Sequence, residues 1–200
     1  MAISLYEPGI RKSAYAEEPL RGDTMKLYHT GTVTIRVPDI HIGRKNADFG
    51  QGFYLTPDKD FAYRWAGRDA VVNEYELNLT GLCVHTFQRN DEWFHYLFQN
   101  RRGSDQLKAD VVIGPIANDT IFDTMGIISS GFLEPAEALK LLMIGPAYTQ
   151  VVIKTQKAAA QLRWLHSENI PPLHNDVRKA KQEAYARLFA LAMQEMDQDP

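Results

Sequence analysis

Residues 27–66, LYHTGTVTIRVPDIHIGRKNADFGQGFYLTPDKDFAYRWA, decide how this chain is read. His29 ends a short apolar strand and is followed by Thr30-Gly31, a turn signal. Gly43, Gly50 and Gly52, interleaved with Arg44, Lys45 and Asp48, are loop chemistry that permits close approach of the backbone to a ligand. Phe53 to Leu55 returns to strand. Thr56, Pro57 and Asp58 then supply a hydroxyl cap, a proline for the first helical position and a carboxylate for the positive end of the helix dipole. Phe61, Ala62, Trp65 and Ala66 give that helix an apolar stripe to lay on a sheet.

Outward from this stretch, further short strands are predicted over residues 74–79, 82–87, 110–113 and 150–154. Helices are predicted from Asn90 or Asp91 to about Arg102, over 117–128, 134–143 and 156–162, and from Asp176 to Met196 beyond Pro171-Pro172. The first 24 residues carry Pro8, Gly9, Pro19 and Gly22 without periodicity and read as a loose arm, with Met25 just ahead of the first strand. The expected organisation is therefore an arm over 1–24, a domain over 25–170 and a C-terminal helix over 171–200. Short strands interleaved with helices make the fold class α+β, with a mostly antiparallel or split sheet.

Two hundred residues suffice for one domain with its own core. The formal charge of -3 argues against a broad basic surface for nucleic acid. Cys83, the single cysteine, excludes an intramolecular disulfide and a cysteine metal site; its apolar surroundings predict a buried side chain. The six histidines lack metal-ligand spacing, so no metal is expected. No apolar run reaches the ~20 residues of a membrane span, and the expected setting is cytoplasmic. Trp65, Trp93 and Trp164 are expected in the core.

The pair LYHTG and GQGFYLT resembles the first and second motifs of the His-Tyr-Glu class of the ADP-ribosyltransferase superfamily. The longer run PDIHIGRKNADFGQGFYLT, with NRR at 100–102, DVVIGPIAND at 110–119 and QVVIKT at 150–155, is similar to an uncharacterised bacterial domain family placed in that superfamily, members of which are suspected toxins of toxin-antitoxin pairs. The resemblance covers about residues 26–164. It implies an ADP-ribosyltransferase-like split β-sheet with flanking helices, and NAD as substrate, transferred to a protein or nucleic-acid acceptor. It also implies that His29, Thr30 and Gly31 contact the adenosine ribose and the nicotinamide amide, that Tyr54, flanked by Gly52 and Phe53, stacks on the nicotinamide ring, and that Asn118 and Asp119 lie near the site.

The third motif of that class places a glutamate where this chain has Gln150. An amide hydrogen-bonds a ribose hydroxyl but brings no negative charge. The catalytic set implied is thus His29, Tyr54 and Gln150, with a non-catalytic nucleotide-binding module and an NAD glycohydrolase as the alternatives. Asp110 and Asp119 are the carboxylates that stand in reserve, each with a structural reading beside it. Arg44 reads equally as a pyrophosphate ligand or as a partner for Asp48. Arg101 and Arg102 read first as basic residues closing a helix, with a substrate phosphate as their other reading. The C-terminal helix is expected to dock on its own domain, with an antitoxin or a second subunit as the other occupant of its apolar face.

Overall fold

The computed structural model describes residues 24–66, 69–103, 105–117 and 148–170, together with positions 183, 187, 190, 191 and 194; the side chains of Arg64 and Trp65 fall outside this description. Among the described residues, seven strands form two sheets. In the first, β1 (Thr24–Gly31) and β7 (Leu162–Asn169) flank β3 (Val71–Asn78), all antiparallel. In the second, the order is β2 (Phe53–Leu55), β6 (Thr149–Ile153), β5 (Val111–Pro115) and β4 (Val84–Thr86), antiparallel except for the parallel pair β4 and β5. Helices whose full span lies among the described residues are α1 (Lys59–Trp65), α2 (Asp91–Arg101) and α3 (Gln156–Ala160).

Residues 111–113 of β5 and 151–153 of β6 are apolar throughout because both of their faces are buried. Val112 and Val152 turn toward α2, where they meet Phe49, Phe87, Trp93 and Leu97. Val111, Ile113, Val151 and Ile153 turn the other way and share a core with Leu27, Tyr75, Leu77 and Leu162 of the first sheet. That shared core is what holds the two sheets together, since residues one apart on a strand face opposite ways.

The sheets also touch edge to edge. Tyr28 and Thr56 exchange two backbone hydrogen bonds, of 2.8 and 2.9 Å, between β1 and the end of β2. Helix α1 lies against β1, with Ala62 and Ala66 packed on Tyr28 and Val72. It begins at Lys59 rather than at Pro57, and its cap is Asp58. Thr56 and Asp58 serve the sheet junction instead: the Thr56 hydroxyl donates to the Thr149 carbonyl at 2.7 Å, and the Asp58 carboxylate accepts from the Thr149 amide at 2.9 Å.

Helix α2 starts as its sequence predicts, with the Asn90 side chain accepting from the Trp93 amide, and Trp93 is fully buried. Residues 162–169, of which only Leu162 is assigned from sequence, to the end of a helix, form strand β7 against β3. The first strand begins at Thr24, so Met25 lies within it. Cys83 is exposed, contrary to expectation: it directly precedes β4, and its own amide and carbonyl both bond Asp110, which leaves the thiol at the surface. The helices expected over 117–128 and 134–143, and most of the arm over 1–24, lie outside the described residues. Of the expected C-terminal helix, Glu183, Arg187, Ala190, Leu191 and Gln194 are helical and exposed, Leu191 by 57% although the apolar stripe includes it. No helix among the described residues is long and apolar enough to cross a membrane.

Candidate functional site

A cavity of about 290 Å³ opens where the edges of the two sheets meet. Its wall takes Tyr28, His29 and Thr30 from β1, Arg44, Ala47 and Asp48 from the loop after it, and Tyr54 from β2. Leu55 and Thr56, Phe61 and Ala62 of α1, Arg101 of α2, and Ile116, Ala117 and Gln150 complete it. The volume stands at the lower end of small-molecule sites, about 300–1,000 Å³.

His29 is fixed by a hydrogen bond from Nδ1 to the Tyr54 carbonyl, 2.8 Å away, and by its ring lying 4.5 Å from that of Phe53. A carbonyl only accepts, so Nδ1 carries the hydrogen and Nε2 is left as an acceptor. Burial lowers the pKa of the ring, and the bond to Tyr54 opposes that shift in part. The imidazole is therefore held neutral, with an acceptor nitrogen, which suits a hydroxyl ligand.

Tyr54 is committed at its hydroxyl, which accepts from the Phe49 amide at 2.9 Å and donates to the Gly50 carbonyl at 2.7 Å. Burial, foremost, pushes its pKa well above the ordinary value, so the phenol stays protonated and keeps donating. What remains for the cavity is the ring. The loop that holds the hydroxyl is itself tied down: Lys154 donates to the Phe49 carbonyl and pairs with Asp105 at 2.6 Å, while Tyr96 donates to the same carboxylate.

Two glycines of the loop are packing requirements. A Cβ at Gly52 would fall 2.6 Å from the Ile153 carbonyl oxygen and from Val152 Cγ1, and one at Gly43 would strike the Gly52 carbonyl oxygen. The close approach expected for a ligand is thus made here by the chain's own backbone. Gly50 has a φ of +72°, the left-handed conformation that glycine takes without strain.

Gln150 is 6% exposed and donates from Nε2 to the Pro115 carbonyl at 3.1 Å, an oxygen that also accepts from the Trp93 indole at 3.2 Å. It lies on the same face of the second sheet as Tyr54, because Tyr54 is opposite Val152 and residues two apart share a face.

Of the residues singled out from the sequence, His29, Thr30, Arg44, Tyr54 and Gln150 all border this one cavity. Thr30 does so with its hydroxyl donating to the Ala62 carbonyl at 2.6 Å. Gly31, Gly52 and Phe53 do not line it; Phe53 is core, edge-on to Tyr75. Asn118 and Asp119 lie outside the described residues. Asp110 is turned to a structural task, accepting from the Cys83 amide, the Thr155 hydroxyl and Lys157, and the first two of these bonds chiefly lower its pKa.

The two readings of Arg44 are separated by Asp48, which pairs with Arg101 instead, at 2.6 and 2.9 Å. Arg44 is exposed at the rim with no ion pair to any described residue. Arg101, read from sequence as a helix end, points inward and lines the cavity, whereas Arg102 stacks over Phe98 at 3.9 Å. Asp48 and Thr56 were missed as site residues, and Arg101 was ranked as a helix end ahead of a phosphate ligand; the one available signal for Asp48 was its charge in a glycine-rich loop. Among the described residues no group of three His, Cys, Asp or Glu side chains is placed to hold a metal ion.

Fold and site together define a mixed α+β fold of two abutting sheets with a cleft at their junction whose wall is mostly apolar. Residues 25–164 match the model of the family described as Protein of unknown function (DUF3990), and the chain belongs to that family. No curated protein and no solved structure matches it.

Proposed function

We propose that the chain is an NAD-dependent ADP-ribosyltransferase of ADP-ribosyltransferase-like split-sheet fold, acting on a macromolecular acceptor as the toxin of a toxin-antitoxin pair. The observation that carries this reading is that His29, Tyr54 and Gln150, distant in sequence, border one cavity at the junction of the two sheets. The Tyr54 ring offers a platform for the flat nicotinamide cation. Neutral His29 accepts at Nε2 from a ribose hydroxyl, and Arg44 at the rim meets a phosphate. The enclosed volume suits the nicotinamide and its ribose, with the rest of the dinucleotide running out past Arg44.

In the reaction, the bond between ribose C1′ and the nicotinamide nitrogen breaks, and nicotinamide leaves with the electron pair. The acceptor nucleophile then bonds C1′ and gives up its proton. Positive charge builds on the ribose, which is where a nearby negative charge accelerates the step. Gln150 brings none, and that favours a second reading, a nucleotide-binding module without turnover. Incubation with NAD and candidate acceptors, followed by mass spectrometry, tests the proposal: modified acceptor with little free ADP-ribose supports transfer, free ADP-ribose alone supports hydrolysis, and bound but intact NAD supports the binding module.

A further inference from the structure

We propose that Asp48 is the anionic residue of the cleft, presenting Oδ2 to the cationic nicotinamide half of the bound nucleotide. This rests on the NAD reading above and adds to it the charge that Gln150 lacks. Asp48 is the one carboxylate among the described residues that line the cavity. Its Oδ1 accepts both Nε and an Nη of Arg101, which fixes the side chain in place. Both Arg101 bonds end on Oδ1, and a carboxylate has about four acceptor sites, so Arg101 leaves the capacity of Oδ2 unused.

The position is as informative as the valence. Asp48 directly precedes Phe49 and Gly50, whose amide and carbonyl clasp the Tyr54 hydroxyl. The carboxylate is thereby held beside the aromatic platform, and its charge, after burial, helps keep the phenol protonated. Opposite charge in a partly buried cleft is screened less than at the surface. Neutralising Arg101 is the simpler role for Asp48, and it makes a different prediction. Loss of a mere counter-ion changes the binding of every anionic ligand, whereas loss of a nicotinamide contact changes only ligands that carry the pyridinium.

Calorimetric titration of the full chain with NAD and with ADP-ribose, which lacks the nicotinamide cation, separates the two. Asp48→Asn is expected to weaken NAD by about tenfold or more while ADP-ribose changes by less than about threefold, and Asp48→Glu is expected to recover part of the loss. If Asp48→Asn does not fold, the double variant Asp48→Asn/Arg101→Gln is compared with Arg101→Gln, so that the loss of the Arg101 cation is common to both, and the same selective loss of NAD is expected. Equal losses for both ligands, or an unchanged NAD affinity, overturn the role of Asp48 and leave NAD binding standing; absence of NAD binding by the wild type overturns both.

Discussion

The imidazole of His29 and the backbone carbonyl of Tyr54 are joined by a 2.8 Å hydrogen bond that crosses from one sheet to the other. It runs beside the backbone bridge between Tyr28 and Thr56, so a side chain that lines the cavity is also a fastener of the cleft. The wall of the cavity and the alignment of the sheets thus depend on the same ring.

Stability should therefore follow the protonation of His29. The ordinary pKa of 6.5 is lowered in the folded chain by burial. Below that value the unfolded chain takes up a proton that the folded chain resists, so the contribution is whole above about pH 6.5 and is lost as pH falls through the folded pKa. Denaturant melts at pH 7.5 and at successively lower pH should show this loss for the wild type and a smaller one for His29→Asn. Parallel pH dependence in the two proteins contradicts the account.

The hydroxyl and the ring of Tyr54 have separate tasks. Tyr54→Phe leaves the Phe49 amide and the Gly50 carbonyl without their partner and should cost about 1–3 kcal/mol in chemical denaturation, yet retain NAD binding. Tyr54→Ala should abolish that binding. Loss of binding in both variants would locate recognition in the hydroxyl instead.

Gly52→Ala should destabilise the chain by about 1–3 kcal/mol through overpacking against Ile153 and Val152. Gly81→Ala is the control: no atom stands within 4 Å of a Cβ there, and only its φ of +72° opposes the change, at a cost of about 1 kcal/mol. Thermal melts that rank the two the other way would contradict the packing described for the loop.

Gln150→Glu should raise nicotinamide release about tenfold or more, since it supplies charge where the ribose becomes positive. The same change removes a donor from the Pro115 carbonyl and sets a carboxylate against it, so stability should fall by about 1–3 kcal/mol. Release that stays at the wild-type rate in a folded variant would show that charge at position 150 does not limit turnover.

The parts of the fold legible in the sequence are those whose signals are local. Strand β2 and the Asn90 cap of α2 stand where their residues predict. Strand β7 was not legible: LRWLHSEN is largely polar because it is an edge strand, paired with β3 alone, and its residues are stabilised by a neighbour far away in sequence. Thr56 and Asp58 look like a helix start by type, and only the distant Thr149 reveals their second use. In the site, motif residues were legible, but the pairing of Asp48 with Arg101 joins a loop to a helix 53 residues on, and no spacing announces it.

Nicotinamide release during incubation of wild type and Tyr54→Ala with NAD, with calorimetric binding measured on the same samples, tests the central claim most directly. The cleft described here predicts that the wild type binds NAD and slowly releases nicotinamide, and that Tyr54→Ala, still folded by circular dichroism, does neither. Failure of the wild type to bind NAD would contradict it.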